Sequence, residues 1–130
     1  MRDYVLIVED DADLAEALQL ILELHGYRAT LAGNGRDALA MVAACMPSLI
    51  VLDMLMPVMD GWQFAREFAR RHGREAPILV VTAAENARER ASEIGADDVL
   101  GKPFEISALV AKVQRLTAGS ARVPAEERVR

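Results

Sequence analysis

Three short apolar runs without polar alternation constrain this chain more than any other feature. They are Tyr4–Val8 (YVLIV), Leu49–Leu52 (LIVL) and Ile78–Val81 (ILVV). A strand with one face in water alternates polar and apolar residues, so a run that does not alternate is covered on both faces. Between the runs lie segments with apolar residues at helical spacing. Leu14, Leu18, Ile21 and Leu22 form one stripe, Leu39 and Val42 a second, and Phe64 and Phe68 a third. Ile106, Leu109, Val110, Val113 and Leu116 form another. Weaker signals add strands at Tyr27–Ala32 and Val99–Leu100 and a short helix at Ala87–Ile94. Asp11 or Asp13 can cap the first helix, and Gly26 stops it; the others run over Arg36–Cys45, Trp62–His72 and Glu105–Thr117. The order is strand then helix, five times. That order predicts an α/β fold, a parallel sheet covered on both faces by right-handed crossovers. At 130 residues the chain suffices for one domain and not two.

In open sheets of this kind, ligands bind beyond the carboxyl ends of the strands. The residues there are polar in every case. Glu9, Asp10 and Asp11 follow the first strand, Asp53 the third, Thr82 the fourth and Lys102 the fifth. Carboxylates brought within a few ångströms raise one another's pKa or demand a cation. Hard oxygen ligands suit Mg²⁺, which takes one or two carboxylates, keeps several waters and reaches phosphate. The turn after the first strand reads Glu9-Asp10-Asp11-Ala12-Asp13, with no glycine-rich phosphate loop. With a metal, one carboxylate can act as a nucleophile toward phosphorus. Lys102 and Thr82 could then hold phosphoryl oxygens during in-line transfer.

These residues carry a family resemblance. The chain resembles the receiver domain of two-component response regulators, of the chemotaxis type, from Tyr4 to about Thr117. The segments are LIVEDD at Leu6–Asp11, LDMLMPVMDG at Leu52–Gly61, VTA at Val81–Ala83 and GKPF at Gly101–Phe104. Each is weak alone; in this order, with gaps of 43, 29 and 20 between Asp10, Asp53, Thr82 and Lys102, they are specific. The resemblance implies a flavodoxin-like doubly wound five-stranded parallel sheet, order 2-1-3-4-5, with five helices. It implies that Asp53 accepts a phosphoryl group from a histidine kinase or phosphotransfer protein. Asp10, Asp53 and the Leu55 backbone carbonyl would bind Mg²⁺, with Glu9 acting largely through water. Thr82 would swing toward the phosphoryl group, Lys102 would pair with it, and Lys102-Pro103 would be a cis peptide. Ala83 is small, as the family prefers where the phosphodonor enters, and Leu55 and Ala84 would influence water access. The family often places Tyr or Phe three residues before the lysine, where it relays the switch; here that residue is Val99. A shift of the loop after Thr82 and of helix Ala87–Ile94 is the expected substitute. The surface of the fourth helix, fifth strand and fifth helix is the family's default site for a downstream protein or a homodimer.

Two other functions compete. One is a receiver-like interaction module that signals without phosphate, supported by Val99 and opposed by the intact acid cluster. The other is a Mg²⁺-dependent phosphatase; such enzymes need a second aspartate two residues past the nucleophile, where this chain has Leu55. The expectation is therefore a switch that catalyses only its own phosphorylation and slow dephosphorylation. The net charge of −5 argues against direct nucleic-acid binding by this chain. Neither a signal peptide nor a membrane-length apolar run is evident, and one cysteine allows no internal disulfide, which together suggest the cytoplasm. Residues 1–118 are expected to form the receiver domain and 119–130 a flexible C-terminal tail or start of a linker, with no output domain in the chain. His25 and His72 precede glycines at helix ends and suit the helix dipole better than a metal. Cys45 reads as a small buried hydrophobe on a helix face, and Met54, Met56 and Met59 as loop packing. Trp62 reads as packing at a helix start and a fluorescence reporter.

Overall fold

The computed structural model describes residues 4–83 and 85–118. Ala84 and the expected tail, 119–130, lie outside the described residues. Strands β1 (Val5–Val8), β2 (Ala29–Ala32), β3 (Leu49–Leu52), β4 (Ile78–Thr82) and β5 (Asp98–Gly101) alternate with helices. The helices are α1 (Ala12–Leu24), α2 (Gly35–Ala44), α3 (Gly61–His72), α4 (Ala87–Glu93) and α5 (Ile106–Leu116). All strand pairs are parallel, in the order β2-β1-β3-β4-β5. The expected fold and strand order are therefore the observed ones.

The non-alternating runs split their side chains between two cores. Leu6, Val8, Ile50, Leu52, Ile78 and Val80 face α2, α3 and α4, where Leu39, Val42, Phe64, Phe68 and Ala91 meet them. Val5, Ile7, Leu49, Val51, Leu79 and Val81 face α1 and α5, against Leu18, Leu22, Leu109 and Val113. The period of two sends adjacent residues to opposite faces, so every position of β1 and β3 is buried. Each fully buried Leu or Ile contributes roughly 1.5–3 kcal/mol from removing apolar surface from water.

Boundaries differ from the sequence expectation where local hydrogen bonds take over. Tyr4 precedes β1 and donates its hydroxyl to the Cys45 carbonyl at 2.6 Å. Tyr27 lies past the end of α1 as an isolated bridge residue, its N–H bonded to the Leu22 carbonyl past Gly26, so the continuous strand β2 starts only at Ala29. Cys45 is a half-buried extended cap of α2 and not a buried residue on a helix face. Of the two candidate caps of α1, Asp11 does the capping, accepting from the N–H groups of Asp13 and Leu14. Asp60 and Gln63 form a reciprocal capping box at α3. His25 and His72 stand at helix ends as expected. The His25 ring lies 2.8 Å from the Ile21 carbonyl, and the His72 ring packs on Phe68.

Candidate functional site

Glu9, Asp53 and Lys102 each stand one residue beyond a strand, and their backbones extend the ladder. The Glu9 N–H donates to the Ala32 carbonyl at 3.0 Å, the Asp53 N–H to Val8 at 3.0 Å, and the Lys102 N–H to Thr82 at 2.9 Å. A rigid sheet thus delivers side chains from β1, β3 and β5 to one end of the molecule. Thr82 is the last residue of β4, itself buried, opposite Gly101 in register. Lys102-Pro103 is cis, as the resemblance implies.

Glu9, Asp10 and Asp53 each offer a carboxylate oxygen within 4.8 Å of the others. Glu9 and Asp53 are buried, while Asp10 is exposed. Burial raises the pKa of Glu9, and nearby Asp53 raises it further. Hydrogen bonds from Lys102 and the Asp11 N–H oppose that rise without cancelling it. Two buried acids and one exposed acid with oxygen donors only, open to solvent on one side, suit a hard divalent cation such as Mg²⁺. No second cluster of metal-ligating side chains occurs among the described residues.

The lysine has a first partner that spacing alone did not foretell. Lys102 Nζ lies 2.7 Å from Glu9 Oε1 and 3.6 Å from Asp53 Oδ2, so its first partner is the glutamate. Leu55 is exposed, and its N–H lies 3.4 Å from Asp53 Oδ1. Met54 is fully buried beneath it, while Met56 and Met59 are partly buried against the same core, as loop packing requires.

Val99 is half-buried in β5 and packs on the core that includes Ala91. Two contacts around it were missed by sequence reasoning. Trp62 Nε1 donates to Glu93 Oε1 at 3.1 Å, with the Arg90 guanidinium 5.8 Å from the ring centre, tying α3 to α4. Asp98 accepts from Lys112 at 3.1 Å and Arg115 at 2.5 Å, tying β5 to α5. The sequence signal for the first was the placement of Trp62 at a helix start; nothing pointed to its acceptor 31 residues away.

A doubly wound sheet whose carboxyl edge gathers three acids and a lysine, with no glycine-rich loop after β1, defines a flavodoxin-like α/β domain with an acidic site. The chain belongs to the response regulator receiver domain family, whose sequence pattern matches residues 5–114. It is 43% identical over 114 residues to the transcriptional regulatory protein PcoR of Escherichia coli, covering 86% of this chain and 50% of PcoR. It is 40% identical to the response regulator MprA of Mycolicibacterium vanbaalenii, covering 86% of this chain and 49% of that protein. The chain therefore spans about half the length of these curated relatives. Among solved structures it is similar to TrrA of Thermotoga maritima in complex with Mg²⁺ and BeF, with TM-score 0.79 and 31% identity, covering 89% of this chain and 99% of that one. It is also similar to the signal receiver domain of a histidine kinase from Syntrophus aciditrophicus, with TM-score 0.82 and 36% identity, covering 95% and 96%. Among the described residues no helix is long and apolar enough to cross a membrane.

Proposed function

We propose that this receiver domain is a phosphorylation-dependent switch in which Asp53 is the phosphoacceptor. The observation that carries the reading is the meeting of Glu9, Asp10 and Asp53 within 4.8 Å, with Lys102 reaching both Glu9 and Asp53. The donor is a phosphohistidine on a histidine kinase or phosphotransfer protein. An Asp53 carboxylate oxygen forms the new bond to phosphorus. The phosphorus–nitrogen bond breaks, and its electron pair leaves with the imidazole nitrogen. Asp53 needs no proton for this step, so a general acid or base is dispensable, consistent with Leu55 at the position where a phosphatase has its second aspartate. Asp10, Asp53 and the Leu55 carbonyl would hold Mg²⁺, with Glu9 acting through water. Mg²⁺, when bound, neutralises the clustered acids and stabilises charge on the phosphoryl oxygens.

Lys102 turns from Glu9 toward the new phosphoryl oxygens, and Thr82 offers its hydroxyl to them. The added charge of roughly −1.5 to −2 is large enough to reorder a neighbouring loop. Val99 cannot repeat the rotation of a tyrosine or phenylalanine, so the change leaves through the loop after Thr82 and through α4. A downstream protein, or a second copy of the chain, reads it at the surface of α4, β5 and α5. The domain catalyses its own phosphorylation and slow self-dephosphorylation and turns over no external substrate. The net charge of −5 leaves direct nucleic-acid contact to other parts of any longer protein. The absence of a membrane-length apolar segment fits a role in the cytoplasm.

The test is intact mass after incubation with acetyl phosphate and Mg²⁺. The expected result is a Mg²⁺-dependent gain of about 80 Da, one phosphoryl group, absent in Asp53→Ala. Val99 favours a second reading, an interaction module indifferent to phosphate. A folded protein that binds Mg²⁺ yet takes neither phosphate from acetyl phosphate nor beryllofluoride would support that reading instead.

A further inference from the structure

The segment from Asp53 to Gly61 must hold still if it is to present both a carboxylate and a backbone carbonyl. Burial does not hold its tip, because Leu55 and Val58 are 54% and 66% exposed. Backbone strain works against it. Val58 has φ 69°, a left-handed conformation that β-branched residues rarely adopt. The Met59 N–H donates to the Pro57 carbonyl at 2.7 Å, closing a three-residue turn around Val58. Strain of this kind persists only where the surroundings over-determine it.

The surroundings are two helix starts, each a glycine. Gly61, the first residue of α3, donates its N–H to the Met54 carbonyl at 3.0 Å. A Cβ added there would lie 2.8 Å from the Asp53 carbonyl oxygen. Gly35, the first residue of α2, donates its N–H to the Met59 carbonyl at 3.1 Å. A Cβ added there would lie 2.8 Å from Met59 Cγ and 2.9 Å from the Met59 carbonyl oxygen. Gly33, two residues earlier in the same turn, would meet nothing within 4 Å, so the close approach is particular to Gly35.

We propose that Gly35 is a positioning residue for the phosphorylation site: the start of α2 seats against Met59, holds the strained Pro57–Met59 turn, and so fixes the Asp53–Leu55 segment. Helix α2 contributes no side chain to the acid cluster, yet it sets the geometry of one of the cluster's members. The proposal rests on the Mg²⁺ reading above for its functional consequence, while its structural content stands on the turn alone.

The experiment compares wild type, Gly33→Ala and Gly35→Ala by Mg²⁺ titration calorimetry and amide hydrogen exchange. Gly33→Ala should match wild type in both. Gly35→Ala should bind Mg²⁺ about tenfold more weakly, the loss typical of residues that orient metal ligands. It should also exchange faster across residues 54–60 while keeping its far-ultraviolet dichroism. Adding Val58→Gly to Gly35→Ala should recover most of the affinity, since glycine adopts the left-handed turn without penalty. Gly35→Ala behaving like Gly33→Ala, or no recovery in the double variant, overturns the proposal. If wild type binds no Mg²⁺, the metal reading fails, and unchanged exchange over 54–60 in Gly35→Ala still overturns the brace. Should Gly35→Ala not fold, Met59→Ala removes the side chain that Gly35 abuts; weaker Mg²⁺ binding supports the brace, and unchanged affinity overturns it.

Discussion

Strands β1 and β3 have no exposed residue, whereas β5, at the edge of the same sheet, has no fully buried one. The helices beside them differ in the same way. Helix α3 has twelve residues, a complete capping box and three basic groups in its last turn. Helix α4 has seven residues, one buried side chain, Ala91, and an N-cap, Asn86, that is left-handed and makes no side-chain capping bond. The carboxylates are mounted on the rigid centre, and the surface proposed to change shape lies at the weakly packed edge. Regions that open at low free energy are those with few buried apolar contacts. The contrast teaches that one sheet can keep its centre fixed and its edge loose, with β4 lying between β3 and β5.

The largest way to break this comparison is in the centre. Leu52→Ala should cost about 3 kcal/mol of stability in urea denaturation, the typical cost of a buried leucine truncation. Val99→Ala at the edge should cost about 1 kcal/mol, near the centre of the mutational distribution. Equal losses at the two positions would erase the distinction.

The edge can be sharpened electrostatically. Burial works to raise the pKa of Asp98, but the Val99 N–H, Lys112 and Arg115 outweigh it and hold the group below its ordinary value. A depressed folded pKa stabilises the native state above the unfolded value, and that contribution is lost as pH falls through the folded value. The Tm of wild type should therefore fall more steeply than that of Asp98→Asn below about pH 4, where an unperturbed aspartate begins to titrate. Parallel melting curves would show that the link between β5 and α5 contributes nothing. The smallest effect concerns the seam between α3 and α4. Glu93→Gln removes the charge that accepts the Trp62 indole N–H, and the emission maximum of this single tryptophan should shift while Tm stays unchanged.

Much of this was legible in the chain. The doubly buried runs announced the parallel sheet, and the polar residue after each announced the site, because hydrophobic period and strand ends are local signals. Tyr27 shows the limit of local reading: it makes only an isolated bridge, because its N–H turns back to the Leu22 carbonyl past Gly26, and the continuous strand begins at Ala29. Lys102 shows a different limit. Its place beside the acids followed from the spacing, but its preference for Glu9 over Asp53 depends on distances of 2.7 and 3.6 Å that only the folded chain sets. The support that Gly35 gives Met59 was invisible for the same reason, since 24 residues separate two groups that meet only after β3 has paired.

The contact between Lys102 and Glu9 has a consequence for reversibility. In the function proposed, this lysine does not gain an anion on phosphorylation; it exchanges one for another. The free energy returned is only the difference between two ion pairs, far less than either alone. A cation that starts unpaired would instead add the whole of a new ion pair to the phosphorylated state. One that already has a partner adds only the difference, and Glu9 is in place to take the lysine back once the acyl phosphate is hydrolysed.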